Sequence, residues 1–257
     1  MFTLAVFNPL TANLNNLYLR YIEIIILLGT IGVILGIAGH YLLIGPHAKR
    51  LGKLKPEITR LNVLERSTHF VRMISCIILA ITGISFALFK TGAIGMSYQT
   101  AYKVHIFCAV LFTLSSVVAI VVWLKDSLFK NYDWAWFKVM GGYLTRKEIH
   151  PPSGRFNAGQ KAFYWYSSLA SIIIILSGYM LVYPAKFGLE SLVWAAALHG
   201  LAAVGLIAGV IAHAYLGTFA NPGTIGTIIH GKVARDWAKN HHPHWYRELK
   251  QSSAGKK

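Results

Sequence analysis

Two histidines, His199 and His213, lie fourteen residues apart in a stretch, Ser191–Gly231, that contains no Asp, Glu, Lys or Arg. On a helix, fourteen residues is nearly four turns, so both imidazoles share a face about 21 Å apart along the axis. In a bilayer whose hydrocarbon core is about 30 Å thick, that places one near each surface. The residues between them, Gly200, Ala202, Ala203, Gly205, Ala208, Gly209 and Ala212, are small and leave room beside the helix for a bulky planar group. Neutral imidazole is a good iron ligand. The spacing therefore predicts a pair of haems stacked across a membrane, each held by one of these histidines.

The elements that must position them are apolar helices. The chain has 257 residues, of which 55% are hydrophobic and 13% charged, against about 25% charged in an ordinary globular domain. Mean hydropathy is +0.50. The apolar residues cluster into five runs of membrane-spanning length, at about 20–44, 66–89, 101–124, 162–183 and 192–218. These predict an all-α integral membrane helical bundle with five transmembrane helices.

The formal charge of +16 is distributed by side rather than as a nucleic-acid footprint. Lys and Arg number six in 45–66, seven in 125–161 and seven in 219–257, while the opposite segments carry Arg20, Lys90, Lys103 and Lys186. Under the positive-inside bias the long loop and the C-terminus are cytoplasmic and the N-terminus is outside. The charge then encodes topology and contact with anionic lipid, and no nucleic-acid partner is expected. The first residues lack a basic segment ahead of a short apolar core, so no cleaved signal peptide is expected and residues 20–44 should persist as a helix.

Depth in this orientation sorts the membrane histidines into pairs. His105 and His199 lie toward the outer side, His69 and His213 toward the cytoplasm, and each pair can supply two axial imidazoles to one iron. A single membrane histidine often only bonds a neighbouring helix. Four at two matching depths are costly polar groups that point to function. Cys76 and Cys108 belong to no C-x-x-C-H motif, so the haems would be b-type, and both cysteines read as buried apolar residues. His40 has no partner at its depth and reads as structural. His47, His150 and His230 read as loop or interface residues. Arg72, one turn after His69, reads either as a haem-propionate partner or as a snorkelling, packing arginine. The segment 125–161 is the largest soluble piece between spans, with Tyr132, Trp134 and Trp136 as an interfacial belt.

With the histidines placed, residues from about 60 to 249 resemble the gamma subunit of membrane-bound respiratory formate dehydrogenase, a cytochrome b. The resemblance is carried by LNVLERSTHF with ITGISFALF, by YKVH, by RFNAGQKAFYW, and by the run from LHGLAAVGLIAGVIAHAY through GTIGTIIHGKVARDWAKNHHPHWYREL. It implies the same ligand pairs, His105 with His199 for the outer haem and His69 with His213 for the cytoplasmic-side haem. It also implies a quinone site at Asn157, Gly159 and Gln160, near His213. Amides can hydrogen-bond a quinone carbonyl, and glycine allows close approach. Without the resemblance, the segment Asn157–Gln160 is a polar helix start with Asn157 as N-cap. The family commonly has four spans with a cytoplasmic N-terminus, so residues 1–50 here add a helix. Phe70 stands where a Trp is frequent.

The resemblance therefore implies residues 1–50 as the extra helix and start of the first cytoplasmic loop, 51–225 as a four-helix dihaem core and 226–257 as a cytoplasmic tail. Residence in the bacterial inner membrane is implied too. A molybdenum- or tungsten-containing catalytic subunit would oxidise formate outside the cytoplasm. An iron–sulfur subunit would carry electrons to the outer haem, and two b haems would carry them on to menaquinone or ubiquinone. The chain would itself be the quinone-reducing subunit, within a complex that can form a higher oligomer. Two other readings stay open: the cytochrome b subunit of a nickel–iron hydrogenase or of a thiosulfate or polysulfide reductase, and a non-redox anchor or transporter whose histidines are structural or relay protons.

Overall fold

The computed structural model describes residues 9–46, 49–88 and 90–254; His47, expected in a loop, lies outside the described residues. The helices are α1 (Pro9–Leu43), α2 (Val63–Ala87), α3 (Tyr98–Ser127), α4 (Asp133–Lys138), α5 (Ala158–Val182), α6 (Leu189–Gly217), α7 (Gly226–Ile229), α8 (Arg235–His241) and α9 (Pro243–Ala254). Two short strands, β1 (Ile58–Thr59) and β2 (Lys232–Val233), pair antiparallel with Ile58 opposite Val233 and Thr59 opposite Lys232. Five segments, Arg20–Leu43, Val63–Ala87, Tyr98–Ser127, Ala158–Val182 and Leu189–Gly217, are long and apolar enough to cross a membrane. The protein is an all-α, multi-pass membrane chain. Its exposed leucines, such as Leu28 and Leu35 of α1 and Leu114 of α3, form the kind of apolar surface that lipid covers and water does not tolerate.

The five long helices begin three residues or more ahead of the hydrophobic runs expected from the sequence, and for α2, α3 and α5 the reason is local. Asn62 Oδ1 accepts from Glu65 N at 2.9 Å while Glu65 Oε2 accepts from Asn62 N at 2.8 Å. Asn157 and Gln160 repeat that reciprocal capping box at the start of α5, at 2.9 and 3.1 Å. Ser97 Oγ accepts from Thr100 N at the start of α3. Capping residues satisfy the first backbone N–H groups of a helix. They are polar, so hydropathy hides the first turn.

The chain divides into two compact units, each drawing on all five long helices: residues 1–33, 72–114 and 167–209 form the first, and 34–71, 115–166 and 210–257 the second. The second unit contains a packed extramembrane layer. The loop after α1 and the tail bury Leu51, Val233, Ala234, Trp237, Ala238 and Trp245 against one another. The tail histidines are drawn in as well: His242 is 1% exposed, and the His244 ring stacks on Tyr132 with centroids 4.5 Å apart. A basic segment thus became core because its tryptophans outweigh its charges.

Beneath that layer lies a buried ionic hub. Glu65, 2% exposed, receives both carboxylate contacts from the Arg155 guanidinium at 2.7 Å and a bond from Trp123 Nε1 at 3.2 Å. Arg155 also bonds Asp126 Oδ2 at 2.6 Å. Arg60 donates to Arg155 O, Gln160 Oε1 and His242 Nε2 at 2.8–3.1 Å. Burial, then the neighbouring Arg155 cation, pushes the Arg60 guanidinium down to about 9. His242 is held neutral. Its Nδ1 lies 2.7 Å from Gly154 O, a carbonyl that can only accept, so Nδ1 carries the proton and Nε2 accepts from Arg60. Burial and the Arg60 charge keep its pKa well below the usual 6.5.

That depression sets the sign of an acid sensitivity. Below pH 6.5 the unfolded chain binds a proton at this position that the folded chain refuses, so stability falls as pH drops. The loss is at most about 1.4 kcal/mol per pH unit. Melting of the detergent-solubilised protein between pH 7.5 and 5 should show this slope, and His242→Gln should flatten it; an unchanged slope refutes the assignment.

Candidate functional site

His105 and His199 belong to the first unit. His105, one turn and more into α3, faces α2, where Thr82 Oγ1 lies 2.7 Å from its Nδ1. The Thr82 hydroxyl, 1% exposed, has one hydrogen, and its 2.8 Å contact with Ile78 O claims it. Thr82 therefore accepts from His105 Nδ1–H. His199 faces α5, where its Nδ1 lies 3.0 Å from Ile174 O and 3.2 Å from Ser177 Oγ. A backbone carbonyl can only accept, and Ser177 gives its own hydrogen to Ile173 O at 2.6 Å. Both imidazoles are thus Nδ1–H tautomers with the Nε2 lone pair left over, the form a metal requires. Among the described residues neither Nε2 makes a hydrogen bond.

Each ring lies against a glycine. A Cβ on Gly83 would sit 3.5 Å from His105 Cε1, and one on Gly178 would sit 3.1 Å from His199 Cε1. The Phe86 ring meets His105 edge-on at 5.5 Å. Sequence reasoning found the two histidines but missed Thr82, Gly83, Ser177 and Gly178. The available signal was a hydroxyl residue followed by glycine in mid-span, Thr82-Gly83 and Ser177-Gly178, at two places where lipid favours neither.

His69 and His213 belong to the second unit, and their ring centroids are 6.4 Å apart with planes at 40°. Imidazole nitrogens bind metals at about 2 Å, and the ring centre lies about 1 Å behind the nitrogen. Two imidazoles sharing one iron therefore have centres about 6 Å apart, which the observed separation fits. The Phe163 ring stacks on His213 at 4.2 Å and 7° and fixes its plane.

Two of the other described histidines, His40 and His150, meet partners within the protein. His40 Nε2 donates to Tyr143 O at 2.9 Å and Nδ1 accepts from Tyr215 OH at 2.7 Å, so both nitrogens are used and the structural reading stands. His150 lies 3.8 Å from Glu148 in the loop. Arg72 donates to Ser167 O and Ser171 Oγ at 3.2 and 2.9 Å and lies over the Phe112 ring, which supports the packing reading for this residue. Among the described residues no cluster of three or more His, Cys, Asp or Glu is placed to hold a bare metal ion.

Asn157, Gly159 and Gln160 sit together at the start of α5, with their groups already engaged. Beyond the capping box, Asn157 shares a cleft with Tyr143, whose hydroxyl accepts from Asn221 Nδ2 at 3.0 Å, and Gln160 Oε1 accepts from Arg60. Gly159 makes room for Trp136, since a Cβ there would lie 2.5 Å from the indole. Asn157 also lines a small polar cleft with Trp136, Tyr143, Asn221, Asn240 and His241, whose enclosed part holds about 20 Å³, room for a water. Burial raises the pKa of the Tyr143 phenol above its usual 10, so it remains neutral.

Five apolar spans, of which α2, α3 and α6 carry His69, His105, His199 and His213, fit a membrane cytochrome of the b class. The chain belongs to the prokaryotic cytochrome b561 family, whose model matches residues 60–231; it is accordingly a haem b protein of membrane electron transfer. It is 29% identical over 211 residues to the formate dehydrogenase cytochrome b556(fdo) subunit of Escherichia coli K12, covering 79% of this chain and 99% of that one. It is 27% identical to the nitrate-inducible formate dehydrogenase cytochrome b556(Fdn) subunit of the same strain, covering 77% and 94%. The formate dehydrogenase cytochrome b556 subunit of Haemophilus influenzae is 28% identical, over 74% of this chain and 83% of its own length.

The two glycines differ in the room they leave. Gly83→Ala should keep the haem content of the wild type, because 3.5 Å is ordinary contact, whereas Gly178→Ala should push the His199 ring aside and lower haem content. Haem-to-protein ratios of the purified variants check this; equal retention in both contradicts the packing described.

Proposed function

We propose that the chain is the membrane cytochrome b subunit of a formate dehydrogenase complex, taking electrons from an iron–sulfur subunit and delivering them to membrane quinone. The reading is carried by the 6.4 Å separation of the His69 and His213 rings, which matches two axial imidazoles of one iron. The names of the relatives add formate. The formate chemistry would lie in a molybdenum- or tungsten-containing partner subunit. Two b haems, when bound, would supply one-electron carriers.

This chain's residues would do the holding. His105 and His199 would ligate the outer haem, each with its Nδ1 proton already committed to α2 or α5. His69 and His213 would ligate the cytoplasmic-side haem, with Phe163 bracing His213. Asn157 is the quinone contact: its amide would hydrogen-bond a quinone carbonyl, while Gln160 and Gly159 keep the helix start in place. Menaquinone and ubiquinone both present such a carbonyl. The basic loops would face the cytoplasm of a bacterial inner membrane, with the N-terminus outside. Electrons moving inward to meet cytoplasmic protons would then store about 2.3 kcal/mol per charge per 100 mV.

Formate added to the intact complex should reduce its b-type visible band, and quinone should reoxidise it. Reduction by hydrogen, or reoxidation by thiosulfate or polysulfide, with no response to formate would assign the chain to a hydrogenase or a sulfur-compound reductase, and a colourless complex would make it an anchor. His199→Ala should remove one haem component and His213→Ala the other; loss of both components in both folded variants counts against the pairing. Asn157→Ala should slow quinone reduction about tenfold or more with both haems retained, and unaltered turnover would refute that contact.

A further inference from the structure

Two buried hydroxyl–glycine dipeptides face the outer histidine pair, and they are not equivalent. His199 Nδ1 rests on the Ile174 carbonyl with Ser177 as a second acceptor. His105 Nδ1 rests on a side chain, the Thr82 hydroxyl, whose own proton is committed to Ile78 O. A backbone acceptor survives any substitution; a hydroxyl does not.

We propose that Thr82 is the positioning residue of the outer haem site: its hydroxyl, aimed by Ile78 O, fixes His105 as the Nδ1–H tautomer and sets the electron-donating strength of that ligand. Ser177, backed by the Ile174 carbonyl, plays the lesser part on His199. The proposal rests on reading His105 and His199 as axial ligands. An acceptor on Nδ1–H raises the basicity of the imidazole toward the metal. A more basic ligand favours the oxidised, more positive iron, so losing the acceptor raises the reduction potential.

The magnitude follows from an ordinary hydrogen bond, which changes an equilibrium by about threefold to tenfold. For a one-electron couple that corresponds to about 30–60 mV. The test is a potentiometric titration of the haem bands in the intact complex for the wild type, Thr82→Val, Thr82→Ser and Ser177→Ala, with haem content measured in each. Thr82→Val should raise one potential by that amount and leave the other in place. Thr82→Ser, which keeps the hydroxyl, should restore it, and Ser177→Ala should shift its component less than Thr82→Val does. If Thr82→Val instead sheds one haem while Thr82→Ser keeps both at wild-type potentials, the hydroxyl requirement is equally supported.

Three outcomes overturn the proposal: unchanged potentials in Thr82→Val with both haems bound, Thr82→Ser behaving like Thr82→Val, or Ser177→Ala producing the larger shift. His105→Ala separates this failure from that of the underlying reading. If it leaves both haem components intact, His105 is no ligand and both fall. If it removes one component while Thr82→Val is silent, only the role of Thr82 falls.

Discussion

A histidine in lipid has two ring nitrogens and no water to satisfy either, and this constraint orders most of the structure. An unpaired polar group in hydrocarbon costs several kcal/mol. His40 meets the constraint by giving one nitrogen to a carbonyl and the other to a tyrosine. His105 and His199 give only Nδ1 to the protein. A neighbouring helix has to supply that partner, and at His199 Gly178 lets the ring come close. The positions of Thr82, Ser177 and Gly178 follow from the demand of the imidazoles.

The second unit answers a different problem, that of ending membrane helices in charged residues without exposing or orphaning them. Glu65 closes the capping box of α2 and accepts from Arg155 and Trp123. Gln160 closes that of α5 and accepts from Arg60. One carboxylate and one amide therefore terminate two helices and join them through two arginines. Such a pair is costly to break, since removing one partner leaves a buried charge uncompensated. Residues that resemble a ligand-binding motif in sequence, Asn157 to Gln160, are at the same time the mechanical start of a helix. The two roles are compatible because an amide has more hydrogen-bonding sites than a cap consumes.

The five spans were legible because lipid enforces long apolar runs, and the histidines because polar groups within them are few. What escaped reading depends on contacts distant in sequence. Nothing local to Thr82 says that it will meet His105 23 residues later. Leu51 and Trp237 each lie in segments rich in charge, and only their mutual burial turns a loop and a tail into a packed layer. Helix starts were read late for the opposite reason: Asn62, Ser97 and Asn157 signal caps clearly, yet hydropathy scores them as solvent. The short α4, with Trp136 buried and Trp134 exposed, is a partial success, since the aromatic belt was visible but its inward-facing member was not.

The two-residue pairing of β1 with β2 bears on how the molecule is made. Ile58 meets Val233 across 175 positions of chain, and Trp245 packs into the same layer. A ribosome releases these partners nearly a whole polypeptide apart. All the spans must therefore be threaded into the bilayer while the arginine–glutamate hub still lacks its lid of tail residues. Closure is a late, post-insertion event, and a nascent chain cut short before residue 233 would hold its membrane helices with their charged ends uncovered.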